Sequence, residues 1–180
     1  AELGVENDLV LCHVGRISRQ KNPMGLLDIF AAVRQKRPEA VLLSVGEGEM
    51  AEAFDAAIRA SGLEDAVLRL GTRSDVPALL QAADVFLLPS LYEGLSIALL
   101  EAQAAGLPAV ASDVVSPQTI VTDAVTLVPL SAGPEVWVDA VLTAAKTPRR
   151  NAYGELVRAG FDVSTCGESD GRLMALLRGE

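Results

Sequence analysis

Two hydrophobic patterns alternate along this chain. Short, nearly continuous apolar runs rich in Val, Leu and Ala are separated by longer stretches in which apolar positions recur every three or four residues. The short runs predict strands buried on both faces, at 9–14, 40–45, 67–70, 85–88, 109–111 and 126–128. The longer ones predict helices over about 23–37, 49–61, 76–82, 95–105 and 134–147. Pro23 suits a first helical turn, Gly62 and Gly106 fall just past helix ends where a left-handed cap is favoured, and Pro38 and Pro108 supply stops. Strands alternating with helices predict an α/β fold: a three-layer αβα sandwich with a parallel sheet of about six strands. Residues 1–150 make up this domain. The more polar stretch 151–180, with weak helical segments near 152–160 and 167–177, reads as a helical tail.

Composition narrows the function. A chain of 180 residues, 50% of them hydrophobic, can bury one sizeable core. Its net charge of −9 argues against nucleic acid as a partner, because the phosphate backbone needs a basic face. An acidic protein that binds an anion must gather its positive charge locally, and Arg16, Lys21 and Arg73 stand in three separate loops where they can do so. No apolar run reaches the roughly 18 residues of a membrane span, and the first residues lack the pattern of a signal peptide. Cys12, in the first strand, and Cys166, in the tail, suggest neither a disulfide framework nor a metal site, which fits a reducing cytoplasm. Asp84 and Asp113 belong to no ligand-spaced cluster, so no metal is expected. The fingerprints of dinucleotide dehydrogenases and P-loop NTPases are absent.

In a parallel sheet the ligand crevice lies beyond the carboxyl ends of the strands. Gly15, Arg16 and Lys21 follow the first strand, Gly46 the second, Gly71, Thr72 and Arg73 the third, and Glu93 the fourth. Glu93 and Glu101 are eight positions apart with Gly94, Leu95 and Ser96 between them at a predicted helix start. A helix beginning near Leu95 would put Glu101 about two turns in, with roughly 12 Å of rise between the two carboxylates. The free amides of that first turn form an anion site, and each carboxylate can accept from a vicinal diol. A nucleotide sugar has a diol on either side of its pyrophosphate. Simpler readings suit other residues: His13 as a hydrogen-bonded core residue, Arg19 as a solvated cation, and Trp137 and Tyr153 as packed aromatics.

The stretches 83–96 and 101–113 resemble the donor half of GT-B glycosyltransferases of family 4, whose E-x7-E pair falls here on Glu93 and Glu101. Residues 13–23 are similar to the family's first strand and phosphate loop, with Arg16 and Lys21 in the places of its two cations. Residues 45–49 resemble its glycine turn, and 70–76 the loop along the base. Gln20-Lys21-Asn22, 71–76 and 101–108 are closest to capsular and exopolysaccharide transferases. The resemblance implies a Rossmann-like carboxyl-terminal domain, one half of a GT-B fold, that binds a nucleotide-diphosphate sugar. The whole enzyme would pass the sugar, with retention, to a saccharide or lipid-linked acceptor held by an amino-terminal domain.

In that reading Arg16, Lys21 and the amides after Gly94 meet the charge on the leaving diphosphate without a metal, Glu93 orients the sugar and Glu101 the ribose. The chain begins at Ala1, which with the resemblance predicts a piece of a longer enzyme, inactive alone. The resemblance also allows the whole enzyme a peripheral place at the inner face of the membrane. Residues 114–120 depart from the family's usual glycine-rich turn, which bears on the donor sugar. Rival readings are a non-catalytic nucleotide-sugar binding module and an epimerase with the GT-B fold.

Overall fold

The computed structural model describes residues 4–5 and 9–161. Six strands form one sheet: β1 (Val10–Val14), β2 (Val41–Val45), β3 (Val67–Gly71), β4 (Val85–Leu88), β5 (Ala109–Ser112) and β6 (Val125–Val128). All pairings are parallel and the order is β3-β2-β1-β4-β5-β6. The helices are α1 (Pro23–Lys36), α2 (Ala51–Ala60), α3 (Val76–Ala82), α4 (Ile97–Ala104), α5 (Pro134–Ala144) and α6 (Tyr153–Arg158), with a 3₁₀ turn at Pro117–Thr119.

Strand alternation divides the core into two layers. Leu11, Val85 and Leu87 face α1, α2 and α5, together with Phe30, Phe54 and Trp137. Val10, Cys12, Phe86 and Leu88 face α3 and α4, together with Leu80 and Leu99. Because both faces are covered, the central strands are buried and mostly apolar, with His13 in β1 and Ser44 in β2 as the polar positions. Asp84 precedes β4, as expected, and accepts from the amide of Val10 at 2.8 Å.

The stretch after α5 is fastened to this body. The Arg149 guanidinium donates to the carbonyls of Leu80 and Ala83 at the end of α3 and of Ala105 at the end of α4, where a cation suits the exposed carbonyls. Gly106 has φ 64°, and a Cβ there would lie 2.1 Å from the Arg150 carbonyl, so the close crossing requires glycine. Ala152 and Leu156 are buried, and α6 packs on α4. The first part of the expected tail therefore rests on this domain; the helical segment expected near 167–177 and Cys166 lie outside the described residues. Tyr153, expected to pack, is 56% exposed. No helix among the described residues is long and apolar enough to cross a membrane.

Candidate functional site

The strand order reverses between β1 and β4, where a parallel sheet opens a crevice at its carboxyl edge. The loops after these two strands meet there. Lys21, after β1, places Nζ 2.5 Å from Oε1 of Glu93, after β4, and both side chains are largely buried. The Ser90 hydroxyl donates to the same Oε1 at 2.7 Å. The backbones are joined too. Leu91 N donates to Gln20 O, Gln20 Nε2 to Tyr92 O, and Asn22 Nδ2 to Pro89 O.

Asn22 does more than bridge the loops. It sits in the left-handed region, at φ 54°, and its Oδ1 accepts from Gly25 N to cap α1. A Cβ on Gly25 would lie 2.3 Å from Asn22 Nδ2, so that glycine makes room for the cap.

Three glycine loops form the other wall. Gly15 N donates to Val45 O, Gly46 N to Gly71 O, and Ile17 N to Glu47 O. Gly46 has φ 123°, and a Cβ there would meet Gly15 O at 2.1 Å. Arg69, on β3, underpins this wall. Its guanidinium reaches Asp55, Ser44 Oγ and the Gly46 carbonyl, lies 3.7 Å from Glu47, and stacks over Phe54. Sequence reasoning missed Arg69; the signal was a single cation inside the apolar run Val67–Gly71.

The remaining expected residues differ in their engagement. Arg16 is exposed and pairs with exposed Glu49 at 3.1 Å. Thr72 is exposed. Arg73 holds Asp75 with two bonds, at 2.7 and 2.6 Å, so its charge is already matched within its own loop. Arg19 is exposed, as expected.

Helix α4 begins at Ile97 rather than near Leu95, so Glu101 stands about one turn inside rather than two. Ser96 ahead of the helix is extended, and contacts from outside the helix engage the residues before that: Glu93 is taken by Lys21, and the Gly94 carbonyl accepts from Thr119 at 3.4 Å. The first helical bond runs from Leu100 N to Ser96 O, which leaves the amides of Ile97, Ala98 and Leu99 ahead of the ladder. Ser96 Oγ is buried and has no hydrogen-bond partner among the described residues. It is sealed below the surface of the crevice. Leu95 is half-buried beside it.

Glu101 opens onto a groove of about 250 Å³ between α3 and α4, lined by Pro77, Leu80, Gln81, Ala104 and Ala105. Partial burial there holds its carboxyl above the usual carboxylate range. On the far side of α4, Gln103 is fully buried; it donates to Leu99 O and Thr119 O and accepts from Val121 N and Thr122 N. That amide fixes the segment 116–122, where the sequence departs from the family's usual turn.

His13 lies beneath the ion pair, 1% exposed, with Nδ1 bonded to Leu87 O at 3.0 Å. Burial pushes its pKa down to about 4, so the imidazole is neutral. Nδ1 then carries the proton and Nε2 faces the Lys21 stem across Gly15. No cluster of metal-ligating side chains is found among the described residues.

A Rossmann-like sheet with a basic and an acidic loop joined at its switch point defines the class: one half of a GT-B glycosyltransferase fold. The chain belongs to the glycosyl transferases group 1 family, whose model matches residues 1–158. It is 34% identical to EpsF of Bacillus subtilis over 91% of this chain and 44% of that protein. Identity is 38% with the Escherichia coli UDP-Gal:alpha-D-GlcNAc-diphosphoundecaprenol alpha-1,3-galactosyltransferase, over 60% of this chain and 29% of that one. Among solved structures, Anabaena Alr3699/HepE in complex with UDP-glucose superposes with a TM-score of 0.78 at 26% identity, covering 99% of this chain and 51% of its own. The chain thus spans less than half the length of these curated relatives.

Proposed function

We propose that this chain is the donor-binding half of a retaining glycosyltransferase that moves a sugar from a nucleotide diphosphate to a saccharide or lipid-linked acceptor, in capsular or exopolysaccharide assembly. The observation that carries the reading is the buried Lys21–Glu93 pair at the switch point, flanked by the open first turn of α4. A relative named as a UDP-Gal galactosyltransferase and a neighbour holding UDP-glucose support it and make a UDP-sugar the first donor to test.

Breaking the bond between the anomeric carbon and the phosphate oxygen builds negative charge on the leaving diphosphate. Preorganised donors stabilise such charge where it develops. In this reading Lys21, which spends one N–H on Glu93, turns its others to the phosphates. Arg16 leaves its surface partner Glu49 to add a bidentate contact, and the amides of Gly94, Leu95, Ser96 and the first turn complete the cradle. Glu93 orients the sugar. Glu101, at the mouth of the α3–α4 groove, accepts from the ribose, and Gly71 to Arg73 border the base. The charge is balanced by these groups, with no metal and no cofactor. The acceptor, and any seat at the membrane, belong to the other half of the whole enzyme.

Calorimetry with UDP and UDP-glucose in a chelator tests the donor site. Binding of both is expected; an absolute requirement for Mg²⁺ or Mn²⁺ would refute the metal-free balance. Product analysis with the whole protein, incubated with UDP-glucose and a lipid-linked saccharide, should show transfer to the acceptor. Release of an epimerised sugar, or no product with any donor, would favour an epimerase or a binding module.

A further inference from the structure

We infer that Ser90 is a positioning residue for the sugar-facing carboxylate, an assignment that rests on the donor-site reading above. Both hydrogen bonds to Glu93 fall on one oxygen: Lys21 Nζ and Ser90 Oγ converge on Oε1 at 2.5 and 2.7 Å. Among the described residues the only fully buried side-chain polar atom without a partner is Ser96 Oγ, so Oε2 of Glu93, which holds no bond to any of them, keeps some exposure toward the crevice. The carboxylate therefore offers a single oxygen to a ligand, at an orientation set by the two donors on the other.

The two donors differ in rigidity. Lys21 is on a long stem and has a second duty toward phosphate, so its pull on Glu93 changes as donor binds. Ser90 is fully buried on a backbone pinned from both sides: Ser112 Oγ, at the end of β5, donates to Ser90 O at 2.7 Å, and Asn22 Nδ2 holds the carbonyl of Pro89. A short hydroxyl on fixed backbone has little freedom to lose, so Ser90 keeps Oε2 aimed when Lys21 turns to the phosphates. The effect falls on ligands that carry the sugar.

The test measures dissociation constants of UDP and UDP-glucose for the chain as it stands, for Ser90→Ala, for Glu93→Gln and for the double variant. Ser90→Ala should weaken UDP-glucose about 5–10-fold while UDP changes less than about 2-fold, the scale of one net hydrogen bond. Glu93→Gln should shift the same ratio, and adding Ser90→Ala to it should shift the ratio no further. Equal losses for both ligands in Ser90→Ala would mean that the hydroxyl holds the loop rather than the carboxylate, and would overturn the assignment. An unchanged ratio, or additive shifts in the double variant, would overturn it as well. If the unsubstituted chain bound neither ligand, the donor-site reading itself would fall, and the role of Ser90 with it.

Discussion

Two cations chosen from the sequence for the same task have opposite standing in the folded chain. Arg16 pairs on the surface, 72% exposed, whereas Lys21 is bound to a carboxylate whose side chain is 4% exposed. Surface pairs contribute little, so Arg16→Ala should change unfolding stability by less than about 1 kcal/mol. Lys21→Ala strips the partner from a buried charge and should cost about 3–5 kcal/mol. Denaturant titration of the two variants without ligand checks the contrast. His13 gives the pH counterpart. The unfolded chain takes up its proton near the ordinary value of 6.5, and the folded one only near 4. The unfolded state therefore binds more protons in that window. Stability on this account is complete above pH 6.5 and falls as the pH drops toward 4, by about 3 kcal/mol. His13→Asn should flatten that part of the stability curve relative to the unsubstituted chain; an unchanged slope would refute a buried neutral imidazole.

At the scale of elements, the site is a set of loops tied to one another across the carboxyl edge of the sheet. The β1–α1 loop holds the β4–α4 loop through Gln20, Lys21 and Asn22, and holds the β2–α2 loop through Gly15 and Ile17. Asn22→Ala removes a helix cap and a loop bridge together, and should cost about 1–2 kcal/mol. Gly46→Ala puts a methyl on the Gly15 carbonyl at a backbone angle that favours glycine. The loops must then part. That variant should lose affinity for UDP as well as stability, and amide exchange should quicken at Gly15 and Ile17, whose N–H groups cross the seam. Exchange unchanged at both amides would show that the seam does not depend on Gly46.

For the whole molecule, a ligand that binds only the folded state stabilises it by mass action. UDP at about 100 times its dissociation constant should add roughly 2.7 kcal/mol, which for a chain of this size raises the melting temperature by about 5–10 °C. Lys21→Ala should cut this shift as well as lowering the starting temperature. Arg16→Ala should cut the shift alone. A thermal-shift series of the three proteins, with and without UDP in chelator, distinguishes a loss of binding from a loss of fold.

The sequence determined the layers and the edge. Val85–Leu88 is apolar at every position and Val41–Val45 at all but Ser44, because both faces are covered, a pattern that points to parallel strands between helices. Parallel strands put every following loop at the carboxyl edge, so Lys21, Gly46, Gly71 and Glu93 were legible as neighbours in kind. What they do to one another was decided only by tertiary structure. The pairing of Lys21 with Glu93 spans 72 positions. The frame that Arg69 builds under the glycine turn likewise joins separate elements, reaching Asp55, Ser44 and Gly46. Local propensity favoured a helix from Leu95, but bonds from Lys21, Ser90 and Thr119 engage 93 and 94, and Ser96 is extended, so the helix starts at Ile97. Periodicity reports which face a side chain occupies. Which partner a charge meets depends on how separate loops close on one another, and a one-dimensional pattern carries no term for that.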